Sequence, residues 1–211
     1  MKSLSEIETV SKRSTKAAGF SWGIAEEVGK NSRMLETFGL SGIKNLNYYF
    51  HIRNNKKFEK LNLVSNENKK TKLEFCPIIA GLSFLDQVRS LESFKEISFE
   101  NIGYPILFLP FISRASEVIG KKLELKIDNR IFLLNYNNSI YSNSLNNGIV
   151  SIGNTVKITF QENKDSFTEK EWNDLYKLSE NTFVEETDSL KQAGAGAGLT
   201  DNDWKFRQFK F

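Results

Sequence analysis

Two glutamates stand side by side in the segment Trp-Gly-Ile-Ala-Glu-Glu-Val-Gly, residues 22–29. Three glycines alternate in Gly-Ala-Gly-Ala-Gly, residues 194–198, just ahead of Thr200, Asp201, Asn202 and Asp203. These are the positions whose types and spacing could do chemistry. On a helical wheel Ile24, Val28, Met34, Leu35 and Phe38 fall in one arc, and Glu27 falls inside it. Glu26 falls on the other side, near Lys30 and Arg33, where pairing one turn apart accounts for it. A carboxylate on an apolar face must be neutralised, paired or hydrogen-bonded, because stripping its water costs several kcal/mol. Glu27 is therefore either a general acid/base or a structural ion-pair partner.

The alternating glycines cannot form a stable helix interior. They lack the lysine of a P-loop and the spacing of a dinucleotide fold. Their amides could cradle a carboxylate or phosphate, or the stretch could be a plain linker. Taken as a site, Gly194, Gly196, Gly198, Thr200 and Asn202 would bind the ligand together with Trp22 and Arg33. Glu27, Asp201 and Asp203 would be the catalytic carboxylates of a proton-transfer reaction of hydrolase, isomerase or lyase type. Redox chemistry would need a bound cofactor, and no motif for one is visible.

Composition narrows the chemistry further. One Cys (Cys76) and one His (His51) leave no ligands for a Cys/His zinc site and no partner for a disulfide within the chain. Each reads as packing or surface, and a metal would have to be a hard cation on carboxylates. The 211 residues are 39% hydrophobic and 26% charged, with a net charge of +3, the profile of a globular chain with a real core. Interspersed charge of that size does not point to nucleic acid. No apolar run is long enough for a membrane span, and the start Met-Lys-Ser-Leu-Ser-Glu lacks a signal-peptide core. The expected setting is the cytoplasm, and the Lys, Asn and Ile bias suits a bacterial AT-rich genome.

The elements that must position these residues follow from capping and period. Ser3 and Glu6 have capping-box spacing, with Ile7, Val10 and Ala17 on a helical period behind them and Gly19 as the stop. Ser21 caps the central helix and Gly39 ends it. Gly23 and Gly29 inside that helix imply close approach by another helix or a ligand. A third helix starts at Gly42, so residues 3–53 form a helical unit. Residues 54–72 read as solvated loop with one short strand at 61–64, then a strand at 71–75 and a helix over 78–88. From residue 97 the period changes to two, with strands at 97–99, 106–112, 123–127, 131–136, 139–142 and 155–160. The apolar run 105–112 reads as the central strand, although Pro110 argues for an edge or a bulge. Thr168 and Glu171 form a second capping box, opening a helix whose buried face is Trp172, Leu175 and Tyr176.

The expected fold is α+β in one domain, 1–211. It comprises an N-terminal helical unit (3–53), a mostly antiparallel sheet with one short helix (71–160), and a C-terminal helix with a glycine-rich tail (166–211).

The segments 22–29 and 194–203 together resemble the two ends of a bacterial domain-of-unknown-function family. The resemblance implies single-domain cytoplasmic proteins with no assigned reaction. Its members carry an Arg shortly before the glycine repeat; this chain has Lys191 there, which puts a planar anion clamp in doubt.

Two functions remain open: a protein binding a small anionic metabolite and acting on it, or a non-catalytic assembly subunit. In the second, Trp204, Phe206, Phe209 and Phe211 of the tail (204–211) would dock on a partner or on a second copy.

Overall fold

The computed structural model describes residues 2–69, 72–136, 139–144, 148–162 and 164–182. The chain forms two units, Met1–Asn163 and Lys164–Phe211, and the fold is α+β.

Three helices open the first unit: α1 (Leu4–Ala17), α2 (Trp22–Thr37) and α3 (Gly42–Arg53). The α1 capping box is complete, with the Ser3 amide donating to Glu6 Oε2 at 2.8 Å and the Glu6 amide donating to Ser3 Oγ at 3.2 Å. Ser21 Oγ accepts from the Ile24 amide at the start of α2. The face α1 buries is not the expected apolar one. Val10 is exposed, whereas Ser11 and Thr15 are buried. The reason is close packing, since a Cβ at Gly29 of α2 would lie 2.8 Å from the Glu8 carbonyl oxygen of α1. Backbones that near leave room only for small side chains between them. Gly23, by contrast, faces open space.

After α3 the chain runs through residues 54–66 with little regular structure. No strand forms at 61–64. The strand of this region is β1 (Glu67–Asn68), and Phe75 makes only isolated bridges to Glu59 and Ile102. Next come α4 (Pro77–Leu91), β2 (Glu96–Gly103), a 3-10 turn (Pro105–Leu107) and α5 (Leu109–Ile119). Strands β3 (Leu123–Ile127), β4 (Arg130–Asn135), β5 (Ser139–Ser142) and β6 (Ile152–Phe160) complete the unit. The order in the sheet is β1-β2-β6-β3-β4-β5, parallel between β1 and β2 and antiparallel elsewhere. Asp128 turns β3 into β4 with φ 50°, and its carboxylate accepts from the Thr155 amide at 3.0 Å.

One face of the sheet is apolar. Ile97, Phe99, Leu123, Leu125, Phe132, Leu134, Val156 and Ile158 are buried and alternate with less buried residues, mostly polar apart from Ile131 and Leu133 of β4, the period-two pattern of a half-buried sheet. Rings lock the helices onto it, with Phe108 edge-on to Phe99 at 5.3 Å and to Phe84 at 6.4 Å. The run 105–112 is therefore not a strand. Tyr104, at φ 45°, ends β2, and Pro105 and Pro110 sit in the first turns of the 3-10 and α-helical segments, where a missing N–H costs nothing. The run is apolar because α5 is buried on nearly every side, and a fully buried helix segment and a fully buried strand have the same apolar signature.

In the second unit the described part is α6 (Glu169–Glu180), with its Thr168/Glu171 capping box in place. The expected burial of Trp172, Leu175 and Tyr176 does not occur; all three are exposed. Residues 194–203, Lys191 and the tail 204–211 lie outside the described residues.

Candidate functional site

Glu27 is the less exposed of the two glutamates, 21% of its side chain against 50% for Glu26, as the wheel requires. Its Oε2 meets Arg114 Nη1 of α5, and its Oε1 accepts from Lys30 Nζ at 3.2 Å. Glu26 pairs with Lys30 at 3.3 Å and reaches Lys12 of α1 at 3.6 Å. Arg33 donates to Glu8 Oε2 at 2.9 Å, and the exposed Trp22 ring lies under Lys16 Nζ at 5.5 Å. Among the described residues Trp22, Glu27 and Arg33 thus have three different sets of partners. The remaining sequence-derived site residues, Gly194, Gly196, Gly198, Thr200, Asp201, Asn202 and Asp203, lie outside the described residues.

A cavity of about 380 Å³ opens elsewhere, where α3 ends and α4 begins. Tyr49 and Arg53 lie one turn apart on α3, so both side chains project from the same face. The loop that follows is pinned to the start of α4: the Glu59 amide donates to the Glu74 carbonyl and the Cys76 amide to the Glu59 carbonyl, both at 2.8 Å. This brings Lys56, Lys57 and Lys60 to the mouth beside Arg53. Phe20, Tyr49 and Phe58 form the aromatic wall, with Tyr49 and Phe58 ring centroids 5.1 Å apart. Gly103 is required here, since a Cβ on it would run into the Phe58 ring.

Arg53 is fixed at two points. Its guanidinium lies 4.3 Å from the Phe20 ring centroid, and Nη1 donates to the Ala18 carbonyl. Lys56 Nζ is 2.7 Å from the Glu74 carboxylate. Among the described residues, Arg53, Lys57 and Lys60 have no ion pair. At the floor Tyr49 Oη and Cys76 Sγ are 3.0 Å apart, and Cys76 Sγ accepts from the Ile79 amide at 3.5 Å as the N-cap of α4. Burial pushes the Cys76 thiol and the Tyr49 phenol up from their ordinary values. Both stay neutral near pH 7, so the cavity offers cations and rings but no thiolate nucleophile. His51 is exposed. No cluster of three His, Cys, Asp or Glu fit for a metal occurs among the described residues.

The site with this geometry lies almost wholly in one matched stretch. Residues 2–76 match the family model described as "Protein of unknown function (DUF3726)". The matched stretch contains α1 to α3, the 22–29 segment that carried part of the resemblance, and each residue lining the cavity except Ile79. The resemblance to a domain-of-unknown-function family is thereby borne out for the N-terminal part of the chain. No curated protein and no solved structure matches it.

Sequence reading missed this cavity. The run Lys56-Lys57-Phe58-Glu59-Lys60 read as solvated loop by its charge alone. The available signal was an aromatic among lysines directly after the aromatic helix Asn-Tyr-Tyr-Phe-His-Ile-Arg.

Proposed function

We propose that this protein binds a small anionic metabolite, and that the ligand enters the cavity between the end of α3 and the start of α4. One observation carries the reading: Arg53, Lys56, Lys57 and Lys60 line the cavity, and none of its lining residues is acidic. Like charges gathered at a concave surface raise the local potential and attract counter-charge. The size suits a metabolite, at the lower end of ordinary ligand pockets. Glu27 serves in this reading as the ion-pair partner of Arg114, holding α2 to α5. The reading places the protein in the cytoplasm, a reducing compartment in which an unpaired buried thiol such as Cys76 is at home.

The test is a thermal-shift titration of the full chain with pyrophosphate and citrate, beside the double variant Lys57→Gln/Lys60→Gln. Stabilisation by either anion, lost in the variant and at high salt, is the expected result. An equal response from wild type and variant would remove the cavity from the argument.

A second reading, an assembly subunit, draws on a different observation. Helix α6 exposes Trp172, Leu175, Tyr176 and Leu178 together, a larger apolar display than isolated surface residues make. Sedimentation that depends on protein concentration, and that Leu175→Asp abolishes, would favour it.

A further inference from the structure

Resting on the anion-site reading above, we infer that the ligand carries at least two negative charges on a flat apolar body: a phosphate monoester of an aromatic or conjugated molecule.

The charge balance sets the first half. Lys56 is offset by Glu74 at 2.7 Å, whereas Arg53, Lys57 and Lys60 have no carboxylate of their own among the described residues. A single carboxylate entering there would leave two of three cations facing each other. A phosphate dianion meets them more evenly and matches the planar donor fork of an arginine. Arg53 is already held against Phe20 and tied to Ala18, so little side-chain freedom remains to be lost when an anion docks.

The floor adds to the positive potential. Helix α4 begins with Cys76 as its cap and Pro77 after it. Sulfur is a weak acceptor, and the Ile79 amide reaches it only at 3.5 Å, so the positive end of this 15-residue helix is poorly satisfied by its own side chains. An aspartate in that place would have neutralised it.

The second half follows from what the walls do not offer. Phe20, Phe58 and Ile79 present carbon, and the two polar groups of the floor, Tyr49 and Cys76, are hydrogen-bonded to each other. A sugar body would bury hydroxyls against these walls without side-chain partners, at a cost for each one. A flat ring system meets the aromatic wall without that cost.

The experiment is calorimetric titration of the full chain with four probes: naphthyl phosphate, naphthoate, pyrophosphate and a hexose phosphate. Naphthyl phosphate should bind tightest, by about tenfold or more over each of the others. Arg53→Gln and Lys57→Gln/Lys60→Gln should each weaken it by about tenfold. Lys57 and Lys60 are exposed, so the double variant should keep the wild-type melting temperature and its loss of affinity reads on the site alone. If naphthoate binds as tightly as naphthyl phosphate, the dianion is wrong. If pyrophosphate or the hexose phosphate equals it, the flat body is wrong while the anion site stands. If no probe binds, both the inference and the anion site fall.

Discussion

Glu27 of α2 and Arg114 of α5 form an ion pair in which each side chain is at least two-thirds buried, and Lys30 shares the same carboxylate. The pair ties the N-terminal helices to the helix that packs on the sheet. Its energetic worth lies less in attraction than in the cost of leaving either charge alone.

Glu27→Gln should therefore destabilise the protein by about 1–3 kcal/mol, because Arg114 loses its carboxylate while remaining largely covered. Glu27→Met/Arg114→Met should recover much of that loss. Urea unfolding of the three proteins measures it. If Glu27→Gln has wild-type stability, the pair does not hold α2 to α5.

The two glycines of α2 should respond in opposite directions. Gly29→Ala places a Cβ 2.8 Å from the Glu8 carbonyl oxygen and 3.2 Å from Lys12 Cβ, so α1 must shift, at a cost of about 1–3 kcal/mol. Gly23→Ala meets nothing within 4 Å and should stabilise by about 0.5–1 kcal/mol through better helix propensity. Thermal melts of both variants decide it, and a stable Gly29→Ala would contradict the close approach of α1.

Stability should fall in alkaline solution through Cys76. Burial raises the folded thiol above its ordinary value of 9.0, so the folded state holds a proton that the unfolded chain releases. The contribution is fully present below the unfolded pKa and is lost as pH rises from there through the raised folded value. Cys76→Ser removes the titration and keeps a cap for α4. Denaturant midpoints at pH 7 and pH 10 should drop more for wild type than for Cys76→Ser; parallel drops would show that another group sets the alkaline limb.

The two placements of the anion site, cavity or glycine stretch, separate in one variant. Gly198→Val should leave pyrophosphate affinity unchanged if Arg53, Lys57 and Lys60 hold the anion. A loss of binding in Gly198→Val with intact binding in Lys57→Gln/Lys60→Gln would return the site to the residues 194–203.

The sequence by itself determined what local chemistry decides. Capping boxes at Ser3/Glu6 and Thr168/Glu171, the strands expected at 97–99, 123–127, 131–136, 139–142 and 155–160, and the asymmetry between Glu26 and Glu27 depend on neighbours within a few residues, and each is present in the structure. Tertiary structure alone decided three other things. Residues 105–112 became helix because burial from all sides erases the periodicity that separates strand from helix. The partner of Glu27 could not be read, since Arg114 lies far along the chain and only the packing of α5 on α2 brings it near. The cavity was hidden for the same reason. Arg53 and Lys57 look like ordinary surface charges until the backbone bonds of Glu59 to Glu74 and Cys76 set a buried cysteine and aromatic rings beside them. Charge in a sequence reports how many cations there are, while their potential depends on what the fold places between them and water.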